Sequence, residues 1–332
     1  MDAMNENMDA SMNDDGDYFA GAGGYDRETV RFFDVAHEGA QVRGVAQRAR
    51  DLERLRGINP RSVVVVGTDQ VSRAAAAAAL QLRAPLPLPV VVTHVLPDYV
   101  GPLDVVVVVG ECSEDARTGQ DTRSLLTAAR RGAETVLAGP ARGPILDDAP
   151  DTALLVPALP TTASASPLRA MALVWAVLDA LAQPAEITAE FLGALADEVD
   201  AEIEALSPQR DDTVNAARQL AMFADGARIV HTGAGCCGRA VAALAAQVWT
   251  AQGLVSGYTE EPLDNAPADD IFHDPLIDGP SALVPLRAIV WAAPDTALPA
   301  SRAEYVEPTG LGEASSAARL VARAYAATAM DA

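Results

Sequence analysis

Two runs of consecutive valines constrain the fold of this chain more than any other feature of its sequence. Val63–Val66 and Val105–Val109 are apolar at every position, so both faces of a strand formed there must be buried. An alanine-rich helical segment ending near Leu82 and a further valine strand, Pro89–His94, lie between them. Strands that are buried on both faces and separated by helices are typical of parallel sheets. The sequence therefore predicts an α/β fold.

The alternation of strands and helices also predicts how the chain is organised. Short strands follow at Glu134–Ala138 and Ala153–Val156, and residues 167–206 then have a purely helical pattern. The α/β pattern starts again at Ala227 and includes a strand at Arg287–Trp291. We predict two three-layer α/β/α halves with parallel sheets. The predicted segments are a disordered acidic leader (1–28), a first α/β half (29–166), connecting helices (167–223) and a second α/β half (224–332).

Composition and charge exclude several classes of function. The chain has 24 arginines and no lysine. It therefore has neither the lysine of a Walker A loop nor a lysine that could form a Schiff base. A formal charge of −22 opposes binding to a phosphate backbone, so we expect no nucleic-acid partner. The longest apolar runs are strand-sized, and no basic segment precedes an apolar N-terminal stretch, so we expect a cytoplasmic protein with no membrane partner. Three cysteines without a CxxC spacing predict neither a disulfide framework nor a metal site.

In an open parallel sheet, ligands bind beyond the carboxyl ends of the strands, where helices begin. Three loops meet that description: residues 67–72, 110–118 and 232–238. The third, with Gly233, Gly235 and Gly238, matches GxGxxG, and Glu260 and Glu261 follow about twenty residues later, where a ribose-binding acid lies in dinucleotide sites. The alternative is a tight strand-to-helix turn, which a chain rich in glycine and alanine favours. We expect no cofactor.

Two further features of the sequence allow more than one interpretation. Cys236 and Cys237, at a predicted helix start, are either reactive thiols or buried small residues, and their spacing favours burial. His273 lies among aspartates in a polar loop, where it is either a proton shuttle or a solvated surface residue. The surrounding acidic residues lack the spacing of a calcium loop, so a solvated surface is favoured and no metal is predicted.

Three segments resemble a known family. They are the helix Phe33–Arg43 followed by Asn59–Gly67, the strand–turn–helix Val63–Leu80, and the helix start Ser166–Trp175. Together they resemble the double SIS (sugar isomerase) proteins, in particular the bifunctional phosphoglucose/phosphomannose isomerases of the TobH type. The resemblance covers roughly residues 30–330.

The resemblance implies a homodimeric aldose–ketose isomerase acting on glucose 6-phosphate or mannose 6-phosphate. It implies that Arg169 stabilises developing charge, that Glu260 or Glu261 is the base, and that His273 assists ring opening. Substituting Arg169 is then expected to weaken ligand binding and to leave the melting temperature of the unliganded protein nearly unchanged. The implied substrate-binding residues are Gly67, Thr68, Ser72, Ser113, Thr118 and Thr122.

The sequence also departs from the family. Glu111, Glu114 and Asp115 replace the hydroxyl-rich phosphate loop, and the family's catalytic glutamate, histidine and lysine have no counterpart. The alternative is therefore a non-catalytic protein that binds a sugar phosphate or nucleotide sugar in a regulatory role.

Overall fold

The predicted valine strands lie at the centre of a five-stranded sheet. The computed structural model describes residues 26–110, 118–159, 165–261 and 284–331. The strand order is β2-β1-β3-β4-β5, and all neighbours are parallel. In this register Val63 pairs with Val90 on one side and with Val105 on the other. The strands are β1 (Ser62–Gly67), β2 (Val90–Thr93), β3 (Asp104–Val109), β4 (Glu134–Ala138) and β5 (Leu154–Leu155).

Both faces of this sheet are covered by helices. The helices before and within the first half are α1 (Arg27–Ala36), α2 (Glu38–Gln47), α3 (Ala49–Leu52), α4 (Gln70–Arg83), α5 (Thr118–Arg130) and α6 (Pro144–Asp147). Val63 and Val65 pack in the same apolar cluster as α4, whereas Val64 and Val66 belong to a second cluster with residues of α5 and α6. Alternate valines thus face opposite layers, which confirms the three-layer α/β/α fold with parallel sheets.

The predicted helical segment between the halves divides into separate helices. They are α7 (Pro167–Ala182), α8 (Ala185–Ala205) and α9 (Ala216–Ala224). The break between α7 and α8 falls at Gln183 and Pro184, because a proline lacks the N–H that continues a helix and disfavours helical backbone in the residue before it. The amphipathic segment before β1 likewise forms α1, α2 and α3, followed by a 3₁₀ turn, Glu53–Leu55.

A second parallel sheet follows, in the order β7-β6-β8-β9. Its elements are β6 (Arg228–Gly233), α10 (Gly235–Ala251), β7 (Ser256–Tyr258), β8 (Leu286–Trp291), β9 (Ser301–Glu304) and α11 (Glu313–Ala329). The sequence predicted the α/β pattern that begins with β6 and the strand β8, but it did not predict β9. The side chains of β9 are Ser-Arg-Ala-Glu, which lack the apolar run that marked the other strands.

The two sheets share one apolar core. The largest cluster contains Val65 of β1, Ala79 of α4, Leu244 of α10 and Ile289 of β8. Helices α4 and α10 pack against each other between the sheets, and the Gln81 side chain donates to the Cys236 carbonyl while the Cys236 thiol donates to the Gln81 carbonyl. The halves are therefore joined by packed helices.

Arginine–carboxylate pairs connect the helix α8 to α11 and β9 of the second half. Glu202 of α8 accepts hydrogen bonds from Arg319 and Arg323 of α11, and Arg323 also donates to Glu304 of β9 at 2.9 Å. Both glutamates are almost fully buried, so these pairs are shielded from water. Arginine suits such positions because its planar fork can serve two carboxylates at once. None of the helices within the described residues combines the length and hydropathy of a membrane span.

Candidate functional site

The carboxyl edge of the first sheet contains the point where the strand order reverses. From β1 the chain crosses to β2 on one side, and it then returns to β3 on the other side of β1. Ligands of open α/β sheets bind at such a reversal, because the loops after the two central strands diverge and leave a crevice. The loop after β1 and the residue Gly110, directly after β3, meet here.

Three polar side chains from the β1 loop and the first turn of α4 lie against the main chain of Gly110. A Cβ added at Gly110 would lie 2.3 Å from Thr68 Oγ1, 2.5 Å from Asp69 Oδ2 and 2.8 Å from Ser72 Oγ, so only glycine allows this approach. Gly110 also has φ +135°, a value that favours glycine. The Thr68 N–H donates to the Val109 carbonyl, which fixes the two loops together.

Asp69 caps the helix that begins at this edge. Its Oδ1 accepts from the Ser72 N–H at 2.8 Å, and its Oδ2 accepts from the Ser72 hydroxyl at 2.7 Å. Sequence reasoning did not single out Asp69. Its signal was available, because an aspartate three residues before a serine at a predicted helix start is typical of an N-cap.

The structure brings three of the predicted substrate-binding residues together. Gly67, Thr68 and Ser72 all lie in the β1 loop or the first turn of α4. Thr68 is partly exposed. Ser72 is buried and its hydroxyl donates to Asp69, so this hydroxyl is already engaged in a hydrogen bond within the protein. Thr122 lies buried on α5, the helix that follows β3. Thr118 is the first residue of α5, and Ser113 and the Thr118 side chain lie outside the described residues.

Arg169 is bound to the main chain of the protein. Its side chain is 2 % exposed, and its Nη2 donates to the carbonyls of Gly139 and Val156, both at 2.7 Å. The cap of its helix is Ser166, whose Oγ accepts from the Arg169 N–H at 3.2 Å. The sequence placed Arg169 at the start of this helix correctly. These contacts lead us to expect, instead of an unaffected unliganded protein, a loss of stability when Arg169 is replaced, because two buried carbonyls depend on its guanidinium.

Glu260 and Glu261 lie at the edge of the other sheet. They directly follow β7, and both side chains are exposed. Burial and the neighbouring Glu260 raise the pKa of the Tyr258 hydroxyl, while Arg239 lowers it, so these three side chains share one surface. Arg169, in contrast, is bound to the main chain after β4 and β5 of the first sheet. His273 lies outside the described residues.

The GxGxxG turn after β6 is explained by close packing. A Cβ on Gly233 would lie 2.0 Å from the Gly238 main chain, and a Cβ on Gly238 would lie 2.4 Å from the Trp291 carbonyl oxygen. Gly235 has φ +64° and open space above it. The first and third glycines are therefore required for α10 to approach β6 and β8, as the tight-turn interpretation predicts.

The two cysteines between the second and third glycines of this motif differ in burial. Cys237 is buried, and burial together with nearby Glu313 raises the pKa of its thiol to about 11, so it stays a thiol at neutral pH. Cys236 is partly exposed beside Gln81. A cavity of about 160 Å³ opens next to them, and its walls include Tyr305, Pro308 and Glu313. Among the residues that the structure describes, no group of three or more His, Cys, Asp or Glu is arranged to hold a metal ion.

Comparisons of the chain with known proteins give matches in structure only. No protein-family model matches the sequence, and no curated protein matches it. A protein assigned to the phosphosugar isomerases, from Silicibacter pomeroyi, has a TM-score of 0.56 at 19 % identity, covering 91 % of this chain and 96 % of that one. The tagatose-6-phosphate ketose/aldose isomerase of Escherichia coli has a TM-score of 0.56 at 14 % identity, covering 89 % and 92 %.

A third match is the C-terminal domain of the glucosamine-fructose-6-phosphate aminotransferase from Francisella tularensis. Its TM-score is 0.57 at 11 % identity, and the match covers 92 % of this chain and 95 % of that domain. The chain has the phosphosugar-isomerase fold. This confirms the fold that the SIS resemblance implied, whereas the narrower resemblance to bifunctional TobH-type isomerases stays a prediction.

The phosphosugar-isomerase fold extends over almost the whole length of each matched structure, so both sheets take part in the likeness. At identities of 11–19 %, the shared property is the arrangement of strands and helices. What this chain binds depends on the side chains at its own sheet edges. Of these, the cluster of Thr68, Asp69 and Ser72 against Gly110 lies at the strand reversal of the first sheet.

Proposed function

We propose that this protein binds a hexose phosphate at the β1/β3 edge and interconverts its aldose and ketose forms, with glucose 6-phosphate or mannose 6-phosphate as substrate. The observation that carries the proposal is the strand reversal of a phosphosugar-isomerase fold at which Thr68 and the Gly110 main chain meet. Helix α5 follows β3 at this edge, while the start of α4 is capped by Asp69. Main-chain N–H groups at helix starts favour anionic groups of a ligand.

The proposed reaction moves one proton between C1 and C2 of the sugar. A carboxylate base removes the proton and a cis-enediolate forms, after which the proton returns to the neighbouring carbon. Glu260 or Glu261, which are exposed after β7 of the second sheet, is the proposed base, and His273 is proposed to open the sugar ring. Arg169 is assigned a positioning role, because its guanidinium holds the main chain after β4 and β5.

The proposed assembly is a homodimer, because an active cleft built between subunits requires one. Light scattering after size exclusion is expected to give twice the 34.5 kDa of one chain at micromolar concentration. A monomer under these conditions would contradict the proposed assembly.

A non-catalytic sugar-phosphate-binding protein is the second candidate. Two observations favour it: the Arg169 guanidinium is bound to main-chain carbonyls, and a carboxylate, Asp69, lies in the proposed crevice. Such a protein keeps the affinity for a hexose phosphate and has no turnover.

A coupled assay of fructose 6-phosphate formation from glucose 6-phosphate and from mannose 6-phosphate tests the proposal, with calorimetric titration of the same sugars in parallel. Turnover that is lost in a Glu260→Gln/Glu261→Gln double variant, and kept in Glu190→Gln, supports the isomerase; Glu190 is an exposed glutamate of α8. Binding without turnover supports the second candidate. Absence of both binding and turnover overturns the proposed function.

A further inference from the structure

The carboxylate of Asp69 occupies the position at the start of α4 where an anionic ligand group would otherwise bind. Its two oxygens accept from the Ser72 N–H at 2.8 Å and from the Ser72 hydroxyl at 2.7 Å. A phosphate placed at this helix start would lie within a few ångströms of a like charge, which is unfavourable.

The surroundings hold this carboxylate in the crevice. The Gly110 main chain packs so closely against Asp69 Oδ2 that a Cβ there would lie only 2.5 Å away. The Thr68 hydroxyl lies 3.4 Å from the same oxygen. Asp69 is nevertheless only partly buried.

The carboxylate of a partly buried aspartate can accept further hydrogen bonds. An ionised carboxylate has about four acceptor positions on its two oxygens, and the contacts of Asp69 with Ser72 and Thr68 leave at least one of them open. Sugar hydroxyls are donors of the matching kind, and a hydrogen bond to an ionised acceptor is stronger than one between neutral groups. The phosphate of the same ligand has no donor to offer when it is a dianion.

We propose that Asp69 determines specificity in this site by binding ring hydroxyls of the sugar, so that the phosphate is held away from the start of α4. This inference rests on the proposed function, since it orients the hexose phosphate within the same crevice. It also gives a reason for a carboxylate at the strand reversal of a fold whose relatives include sugar-phosphate isomerases.

Capping alone is the competing explanation, and the chain offers a matched control for it. Asp26 caps α1 with the same geometry: its carboxylate accepts from the Thr29 N–H at 2.7 Å and from the Thr29 hydroxyl at 2.7 Å. α1 precedes the first sheet and packs against the helices α2, α8 and α11. Asparagine caps helices about as well as aspartate, so Asp→Asn at either position removes the charge and keeps the cap.

The experiment titrates wild type, Asp69→Asn and Asp26→Asn with glucose 6-phosphate and, separately, with inorganic phosphate. In Asp69→Asn the Kd of glucose 6-phosphate is expected to rise about tenfold, the loss of a charge-assisted hydrogen bond to a sugar hydroxyl. The Kd of inorganic phosphate is expected to stay the same or fall. In Asp26→Asn both values stay at those of the wild type. Asp69→Ser, which also keeps a capping side chain, serves if Asp69→Asn does not fold.

The ratio of the Kd of glucose 6-phosphate to the Kd of inorganic phosphate decides the outcome. A ratio that is unchanged in Asp69→Asn, or tighter binding of glucose 6-phosphate, overturns this inference and leaves the proposed function intact. Failure of the wild type to bind either glucose 6-phosphate or mannose 6-phosphate overturns the proposed function and this inference together.

Discussion

At the scale of single residues, the structure assigns Arg169 a contribution to stability. We expect Arg169→Ala to lower the free energy of unfolding by about 3 kcal/mol, because the Gly139 and Val156 carbonyls lose their donor inside the protein. Urea denaturation followed by circular dichroism measures this change. Arg169→Lys, which keeps a donor, is expected to lose less. Equal midpoints for the wild type and Arg169→Ala would show that these hydrogen bonds contribute nothing.

The sequence could not have distinguished this buried arginine from a ligand-binding one. Its helix start, Ser166-Pro-Leu-Arg169, is readable as a capped N-terminus, and the structure confirms it. Its acceptors, however, lie 30 and 13 residues away along the chain, after β4 and β5. Only the packing of α7 against the sheet brings them together. The contact between Asp69 and Ser72 is different, because it joins residues three apart and the sequence carried its signal, an aspartate three residues before a serine at a predicted helix start.

A second residue, His231, is expected to make stability depend on pH. The histidine is fully buried between Trp249 and Trp291, and its Nδ1 accepts from Trp291 Nε1 at 3.0 Å. Burial lowers the pKa of His231 from 6.5 to about 3. As pH falls below about 6.5, this histidine takes up a proton in the unfolded chain but stays neutral in the folded protein. The stability contribution is therefore complete above pH 6.5 and is lost progressively towards pH 3.

Between pH 7.5 and pH 5.0 we expect this histidine to account for a loss of about 2 kcal/mol in the free energy of unfolding. Denaturant titrations of the wild type and His231→Gln at both values of pH measure it. The variant is less stable throughout, but its loss between the two pH values is expected to be smaller by that amount. Identical losses in the two proteins would contradict a neutral, buried His231.

At the scale of elements, the glycines of the turn after β6 should differ sharply in their sensitivity. Gly238→Ala is expected to lower the free energy of unfolding by more than about 3 kcal/mol, because its Cβ would lie 2.4 Å from the Trp291 carbonyl oxygen and would push α10 from the sheet. Gly235→Ala is expected to cost about 1 kcal/mol, the strain of φ +64° for alanine with open space above it. Thermal melts of both variants compare them. Equal effects would mean that α10 does not need this close approach.

The sequence predicted best those elements whose pattern of apolar residues does not depend on what packs against them. The valine runs marked β1 and β3 because a strand buried on both faces must be apolar throughout. β9 was missed because its Ser301–Glu304 residues are half-buried at the edge of a sheet, where neighbours supply the burial. Its glutamate, Glu304, is nearly buried by its pairs with Arg302 and Arg323, a compensation that no local pattern reveals.

At the scale of the whole molecule, the shared core determines how the chain unfolds. Residues of both sheets, and the helices α4 and α10 between them, belong to one apolar cluster. The predicted boundaries at residues 166 and 223 separate parts of that cluster. Neither half keeps its apolar surface buried alone, although chains of this length commonly unfold in several steps.

We therefore expect a single cooperative transition, and the three tryptophans offer a test. Trp175 lies in α7, while Trp249 and Trp291 lie in α10 and β8, and all three are at most 1 % exposed. Trp175→Phe leaves Trp249 and Trp291, whose fluorescence reports on the second half. Trp249→Phe/Trp291→Phe leaves Trp175, whose fluorescence reports on the packing of α7 against the first sheet. In each variant, fluorescence and far-ultraviolet circular dichroism are expected to change at the same urea concentration. A fluorescence midpoint displaced from the circular dichroism midpoint in either variant would show that the halves unfold separately, and that the contacts between α4 and α10 are too weak to couple them.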